Sequence, residues 1–298
     1  MKRILTAIAI AAVAGAGGGW VLSAPAPLPD TYYEGVARAG DPVHGEQVFW
    51  AAGCASCHMA LNATGDAELV LSGGQKFVTA FGTFIAPNIS PDPDQGIGGW
   101  TLAEFGNAVQ RGVSPDGQHY YPVFPYASYQ NMIPQDVADL KSFMDTLPAS
   151  SQPGLPHEIS FPFTIRRSIG GWKRLFLPEG WAVTADLTEV ETRGRYIAEA
   201  MTHCGECHTP RNVLGGTDRG RWLAGAANPS GEGRIPNITP AKLDWSEAEI
   251  LEYLTSGFTP DYDSAGGQMA HVVENLARLP ESDRTAIAAY LKKVIPAE

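Results

Sequence analysis

The chain opens on an uncharged, largely apolar run from Ile4 to Leu22, preceded by Lys2 and Arg3. As a helix, these residues reach about 28 Å, close to the hydrocarbon thickness of a bilayer. The run reads as a retained membrane anchor, with a cleaved export signal as the alternative. Ala14-Gly15-Ala16 and Ala24-Pro25-Ala26 resemble cleavage sites, but Pro27 disfavours cutting at the second. Trp20 suits a membrane interface, whereas Gly15, Gly17, Gly18 and Gly19 weaken the apolar signal. In either case Lys2 and Arg3 stay inside and the body of the chain is exported.

Beyond the Pro-rich stretch 23–29, apolar residues recur at helical spacing in a repeated order. Gly45, Val48 and Phe49 mark one short helix, and Gly194, Tyr196 and Ile197 mark its counterpart. Trp100-Thr101-Leu102 and Trp245-Ser246-Glu247 each read as a capped helix start. Each repeat closes on a helix, one with Asp136, Leu140 and Phe143, the other with Asp283, Ile287 and Tyr290. In both, the aromatic follows the Asp by two helical turns, so the two share a face.

The composition is that of a globular protein, with 44% hydrophobic and 18% charged residues, which excludes a disordered or polytopic chain. A length of 298 residues predicts two domains. With 32 acidic against 21 basic residues, duplex nucleic acid is excluded as a partner.

All four cysteines lie in two pentapeptides, Cys54-Ala-Ser-Cys57-His58 and Cys204-Gly-Glu-Cys207-His208. Cys-x-x-Cys-His is the attachment motif of c-type haem. Two thiols reach the two vinyl groups on one porphyrin edge, and the adjacent histidine binds iron from below. A zinc reading needs further Cys or His at finger spacing, and none is present. The surroundings repeat as well. Pro87-Asn88-Ile89-Ser90-Pro91 follows the first motif, and Pro236-Asn237-Ile238-Thr239-Pro240 follows the second. Gly112-Val113-Ser114-Pro115-Asp116 is matched by Gly257-Phe258-Thr259-Pro260-Asp261. A repeated unit of about 110 residues is a duplicated domain, since solenoid periods are shorter.

This order of motifs resembles the cytochrome c domain. More narrowly, it is similar to the dihaem cytochromes c related to the cytochrome subunits of bacterial membrane-bound alcohol and aldehyde dehydrogenases. The resemblance rests on the haem motifs and on the PNI(S/T)P, YPxFPY and CHTPRN segments, and covers nearly all of the exported chain. It implies an all-α fold: residues 1–29 as anchor or signal and linker, cytochrome c domains at 30–148 and 188–298, and a Pro-rich linker at 149–187. It also implies two covalently bound haems c passing electrons at the periplasmic face of the bacterial inner membrane.

Cys54, Cys57, Cys204 and Cys207 are the expected attachment points, and His58 and His208 the proximal iron ligands. Met269, eight residues after Asp261, is the expected distal ligand of the second haem, with His271 as rival. Eight residues after Asp116 stands Phe124, which cannot bind iron, where YPxMPY relatives carry Met. Met132 is the favoured ligand there, His119 the alternative, and an open five-coordinate iron the third possibility. The Pro87 and Pro236 carbonyls are expected to accept Nδ1–H of His58 and His208, unless they only mark turns. Arg211 is expected at a haem propionate, or else solvated in its loop. His44, His157 and His203 fit no ligand pattern and read as surface or linker residues.

Residues 30–148 carry 4 basic and 13 acidic side chains, net −9; residues 188–298 carry 11 and 16, net −5. Residues 149–187 are slightly basic, four against three, with an aromatic-basic stretch from Phe161 to Phe176. This stretch reads as a strap across both domains, with docking on a membrane or partner subunit as the alternative. The leading function is electron transfer between a dehydrogenase or quinol-oxidising complex and an oxidase or soluble cytochrome. The alternatives are a cytochrome subunit of a periplasmic dehydrogenase complex, and a haem peroxidase if the first iron is open.

Overall fold

A computed structural model describes residues 2–36, 40–177, 179–229 and 233–297. Helix α1, Lys2–Leu22, is exposed along its length and touches the remainder at its C-terminal end, and its apolar stretch is long enough to cross a membrane. The first half contains α2 (Pro42–Ala52), α3 (Cys54–His58), α4 (Leu102–Gly106), α5 (Tyr126–Tyr129) and α6 (Pro134–Met144). Helix α7 (Ser168–Phe176) follows. The second half contains α8 (Glu189–Tyr196), α9 (Cys204–His208), α10 (Glu247–Ser256), α11 (Gln268–Leu276) and α12 (Glu281–Leu291). Wide π turns extend α4 through Asn107–Arg111 and α8 through Ile197–Met201.

Local chemistry sets these boundaries. The Asp41 carboxylate accepts from the Val43 and His44 amides, Pro42 opens α2, and Gly53 ends it at φ 66°. Thr101, Thr188 and Ser246 each form a capping box with the Glu three residues on, fixing α4, α8 and α10.

The core of each half is a crossing of its first and last long helices, α2 on α6 and α8 on α12. A glycine sits at each crossing. A Cβ on Gly45 would lie 2.0 Å from the Asp139 carbonyl oxygen, and one on Gly194 1.8 Å from that of Ala286. Phe49 and Phe143 stack at 5.2 Å beside the first crossing, and Tyr290 is fully buried at the second.

An entirely helical chain is not what forms. Lys76–Thr79 (β1) and Gly82–Ile85 (β2) make an antiparallel hairpin that Glu158–Ile159 (β3) extends, and Ala226–Ala227 (β4) pairs with Arg234–Ile235 (β5). Val78, Thr79, Thr83, Phe84 and Ile85 are β-branched or aromatic and favour extended backbone. Gly82, at φ 125°, supplies the turn.

Helix α7 and the loop before it strap the two halves together. Arg166 stacks 4.7 Å over Tyr121, Phe163 packs edge-on to Phe81 at 5.1 Å, and Trp172 donates to the Leu214 carbonyl at 2.8 Å. Lys173 lies 4.4 Å above the Tyr126 ring and donates to the Arg111 and Gly112 carbonyls. Burial, with Arg111 as a second cause, brings Lys173 from 10.5 down to about 7. Between those values the unfolded chain holds a proton that the folded chain has released, so stability rises with pH across that window. Lys173→Met is expected to flatten the rise in melting temperature between neutral and alkaline pH, measured by calorimetry against the parent.

The halves also touch directly and reciprocally. Helix α5 packs on the π turn after α8, and α11 packs on α2. Tyr129, anchored within its own half by its hydroxyl bond to the Ala52 carbonyl at 2.6 Å, meets the His203 ring of the other half at 5.7 Å. Arg278 lies 3.9 Å over Trp50, and Asn275 donates to Ser56 Oγ at 2.9 Å. The Tyr196 hydroxyl donates to Asp136 at 2.6 Å and accepts from the Ile133 amide.

Candidate haem-binding sites

Each Cys-x-x-Cys-His pentapeptide forms its own short helix, α3 or α9. Residues three and four apart share a helix face, so both thiols and the histidine project to one side. His58 Nδ1 lies 2.9 Å from the Pro87 carbonyl oxygen and His208 Nδ1 lies 2.8 Å from that of Pro236. A carbonyl only accepts, so Nδ1 carries the proton and each Nε2 keeps its lone pair. No hydrogen bond engages either Nε2 among the described residues. Protein atoms crowd both rings, and this burial holds their pKa below the ordinary histidine value, keeping them neutral. Both histidines keep intermediate solvent exposure as residues.

The proline loops are fastened in the same way in both halves. Asn88 donates to the Ser150 and Gln152 carbonyls and accepts from the Ser90 amide; Asn237 donates to Ala297 and accepts from Thr239. Gly73 donates to the His58 carbonyl at 2.8 Å and Gly225 to that of His208 at 2.7 Å. Both glycines have positive φ, and a Cβ on either would strike the following Pro87 or Pro236 loop. The histidine is thus held between its own carbonyl and its ring nitrogen.

None of the four motif cysteines is in a disulfide, so their sulfurs are available for thioether attachment. Burial pushes Cys54 up to about 12 and Cys57 up to about 11, and raises Cys204 and Cys207 as well. The Cys207 thiol is the second cause acting on Cys57, so the two attachment sites approach each other across the seam between the halves. Tyr129, whose ionisation is held well up by burial, also feels Cys54, Cys57 and Glu206. Among the described residues, the cluster fit to hold a metal is His44, Asp136 and Asp139, away from the cysteines. Its atoms already bond to one another, to Tyr196, to Gln135 and to the Asp41 amide.

Met132 is buried, 2% exposed, in the turn between α5 and α6, within the apolar cluster that includes Phe49, Ala55 and Tyr129. Its carbonyl accepts from Gln110 Nε2 at 2.7 Å, and the Tyr33 hydroxyl donates to Gln110 Oε1. Sequence reasoning missed this clamp, although Gln110 was the one uncharged polar side chain facing the core from the Ala108–Gln110 stretch. Phe124 packs edge-on to Tyr120, Tyr126 and Tyr129. His119 is held elsewhere: its Nε2 bonds to the Ser23 carbonyl at 2.9 Å, beneath Gly170. Met269 stands in the first turn of α11, half-buried against the second-half core, while His271 pairs with Glu274 on the surface.

Arg211 pairs with the Glu206 carboxylate and donates to the Gly215 carbonyl at 2.9 Å, so both arms of its guanidinium are taken up within its own loop. His203 lies half-buried in the seam against Tyr129 rather than on the surface. His157 packs on Phe84 and Tyr121 and accepts from the Ile85 amide. His44 lies against Asp136 at 3.1 Å.

Residues 42–148 match the cytochrome c family. Over 295 residues the chain is 58% identical to a dihaem c-type cytochrome of Cereibacter sphaeroides, covering 99% of both chains. It is 37% identical over 252 residues to the fructose dehydrogenase cytochrome subunit of Gluconobacter japonicus, covering 82% of this chain and 50% of that one. It is 35% identical over 278 residues to the cytochrome c subunit of a quinone-dependent alcohol dehydrogenase of Komagataeibacter europaeus, covering 88% and 55%. The chain spans about half the length of those two dehydrogenase subunits.

Proposed function

The chain belongs to the dihaem cytochromes c and transfers electrons through two covalently bound haems, and on that premise we propose a tethered carrier fed by a dehydrogenase at the periplasmic face of the bacterial inner membrane. The observation that carries this reading is the pair of matched histidine–proline units, each holding its motif histidine by Nδ1. Residues 30–148 form one haem domain and 188–298 the other, joined by residues 149–187. Cys54, Cys57 and His58 hold the first haem, with Met132 as its distal ligand. Cys204, Cys207 and His208 hold the second, with Met269.

When bound, each haem supplies a one-electron Fe(III)/Fe(II) couple. The chain supplies everything else. Pro87 and Pro236 fix the imidazole tautomer and raise its basicity. Gln110 and Tyr33 hold the Met132 backbone in register. Burial of Met132 favours electron transfer over peroxide reduction at the first haem. His119, engaged with Ser23, is the less suited ligand. Helix α1 is the membrane tether, because the residues after it are built into the body: Leu28 donates to Asn107, and the Ala26 carbonyl accepts from Arg111.

The fructose, gluconate and alcohol dehydrogenases named by the relatives set the donor class. The acidic first domain meets a cationic surface on one partner, so transfer slows as salt rises. Holoprotein mixed with native-host membranes and an alcohol, fructose or gluconate is expected to show substrate-dependent haem reduction in stopped flow, slower at high ionic strength. Reduction by none of these substrates, or a rate indifferent to salt, overturns the dehydrogenase-donor reading.

A further inference from the structure

The exit of α1 is gripped by a cluster of arginines from the strap. Arg167 donates to the Trp20 carbonyl at 2.7 Å, bonds Ser23 Oγ at 3.2 Å and lies 4.5 Å over the Trp20 ring. Arg174 donates to the Leu22 carbonyl. Arg166 donates to the His119 carbonyl at 3.0 Å, and the same His119 holds Ser23. Among the described residues, none of these three guanidiniums has a carboxylate within ion-pairing distance; their partners are carbonyls, a hydroxyl and aromatic rings. Arg166 and Arg174 each spend one donor on the protein, of the five a guanidinium carries.

This is uncompensated positive charge in a chain of net charge −11. Beside it stand apolar side chains that pack on little. Ile165 immediately precedes Arg166 and is exposed, and Leu175, next to Arg174, is 74% exposed. An exposed apolar residue alone has no meaning, but apolar residues interleaved with unpaired arginines at the end of a membrane helix do. If α1 spans the bilayer, its last turn lies at the headgroup layer, and whatever grips that turn lies there too.

We propose that Arg166, Arg167 and Arg174, with Ile165 and Leu175, form a docking surface for the phosphate headgroups of an anionic phospholipid leaflet. The surface fixes the tilt of both haem domains against the membrane. The net-acidic domains repel such a leaflet, whereas this cluster offers it positive charge beside the membrane helix. The inference rests on α1 being retained.

The test uses full-length holoprotein in nanodiscs of phosphatidylcholine alone and of phosphatidylcholine mixed with phosphatidylglycerol, with hydrogen exchange read over residues 161–176. Exchange is expected to slow several-fold in the anionic discs, to recover at high salt, and to recover in R166Q/R167Q/R174Q carrying both haems with parental spectra. Should that variant not fold, the salt reversal in the parent protein decides. Equal exchange in the two lipids, or protection that arises only when a protein partner is added, overturns the docking surface. The intact mass of protein from the native host reports separately on the anchor. Loss of residues 1–22 from it overturns the tether and, with it, the docking surface.

Discussion

Met132→Ala lowers the midpoint potential of the first haem by on the order of 0.1–0.3 V, a part of the roughly 0.8 V range that axial ligands govern. A thioether is a soft, neutral donor that favours the ferrous state, and alanine leaves the position to water or a harder ligand. The second haem is expected to keep its potential, because its proposed distal ligand, Met269, lies on a different helix, α11. Met269→Ala gives the mirror result. Both are read by redox titration of the visible bands, together with loss of the sulfur-to-iron charge-transfer band in the ferric spectrum. Unchanged potentials in Met132→Ala return the ligand to His119 or to an open iron. Alanine keeps the Gln110 bond to the backbone carbonyl of residue 132, and the unchanged potential of the second haem is the internal control for the cavity that the truncation leaves.

Gly45→Ala and Gly194→Ala each destabilise by about 3 kcal/mol, the upper end of overpacking costs, or ~10 °C in melting temperature for a unit of this size. The added methyl lands on a backbone carbonyl of the crossing helix, at 2.0 Å and 1.8 Å, with a side-chain Cβ of the same helix behind it. No rotamer relieves that clash; the helices must separate and loosen the packing around Phe49, Phe143 and Tyr290. Gly154→Ala is the control, since its Cβ meets nothing within 4 Å. Calorimetry that shows the crossing variants melting with the control would remove the close crossing as the source of core stability.

What could be read in advance was chemistry tied to short spacing. Cys54, Cys57 and His58 fall on one face because three and four residues make a helical turn, and the Pro87 and Pro236 bonds followed from a repeated motif. The capped starts at Thr101 and Ser246 were equally local. What was hidden depends on contacts far apart in sequence. Glu199 interrupts an apolar stretch, yet its partners are Tyr290, Ala182 and Val183, which no periodicity links to it. The β1–β2 hairpin is short enough for its alternation to pass unnoticed among loops. His119 lies near the Phe124 segment in sequence, but the chain leads it to Ser23 beside α1.

The contact of α5 with the turn after α8, answered by that of α11 with α2, says something about origin. Each half offers the other the corresponding surface, as in the isologous interface of a two-fold dimer. A tandem gene fusion of two copies of a self-associating monohaem ancestor produces this reciprocity directly. The two halves differ at matched seats: His44 faces Asp136 where Arg193 grips Asp283.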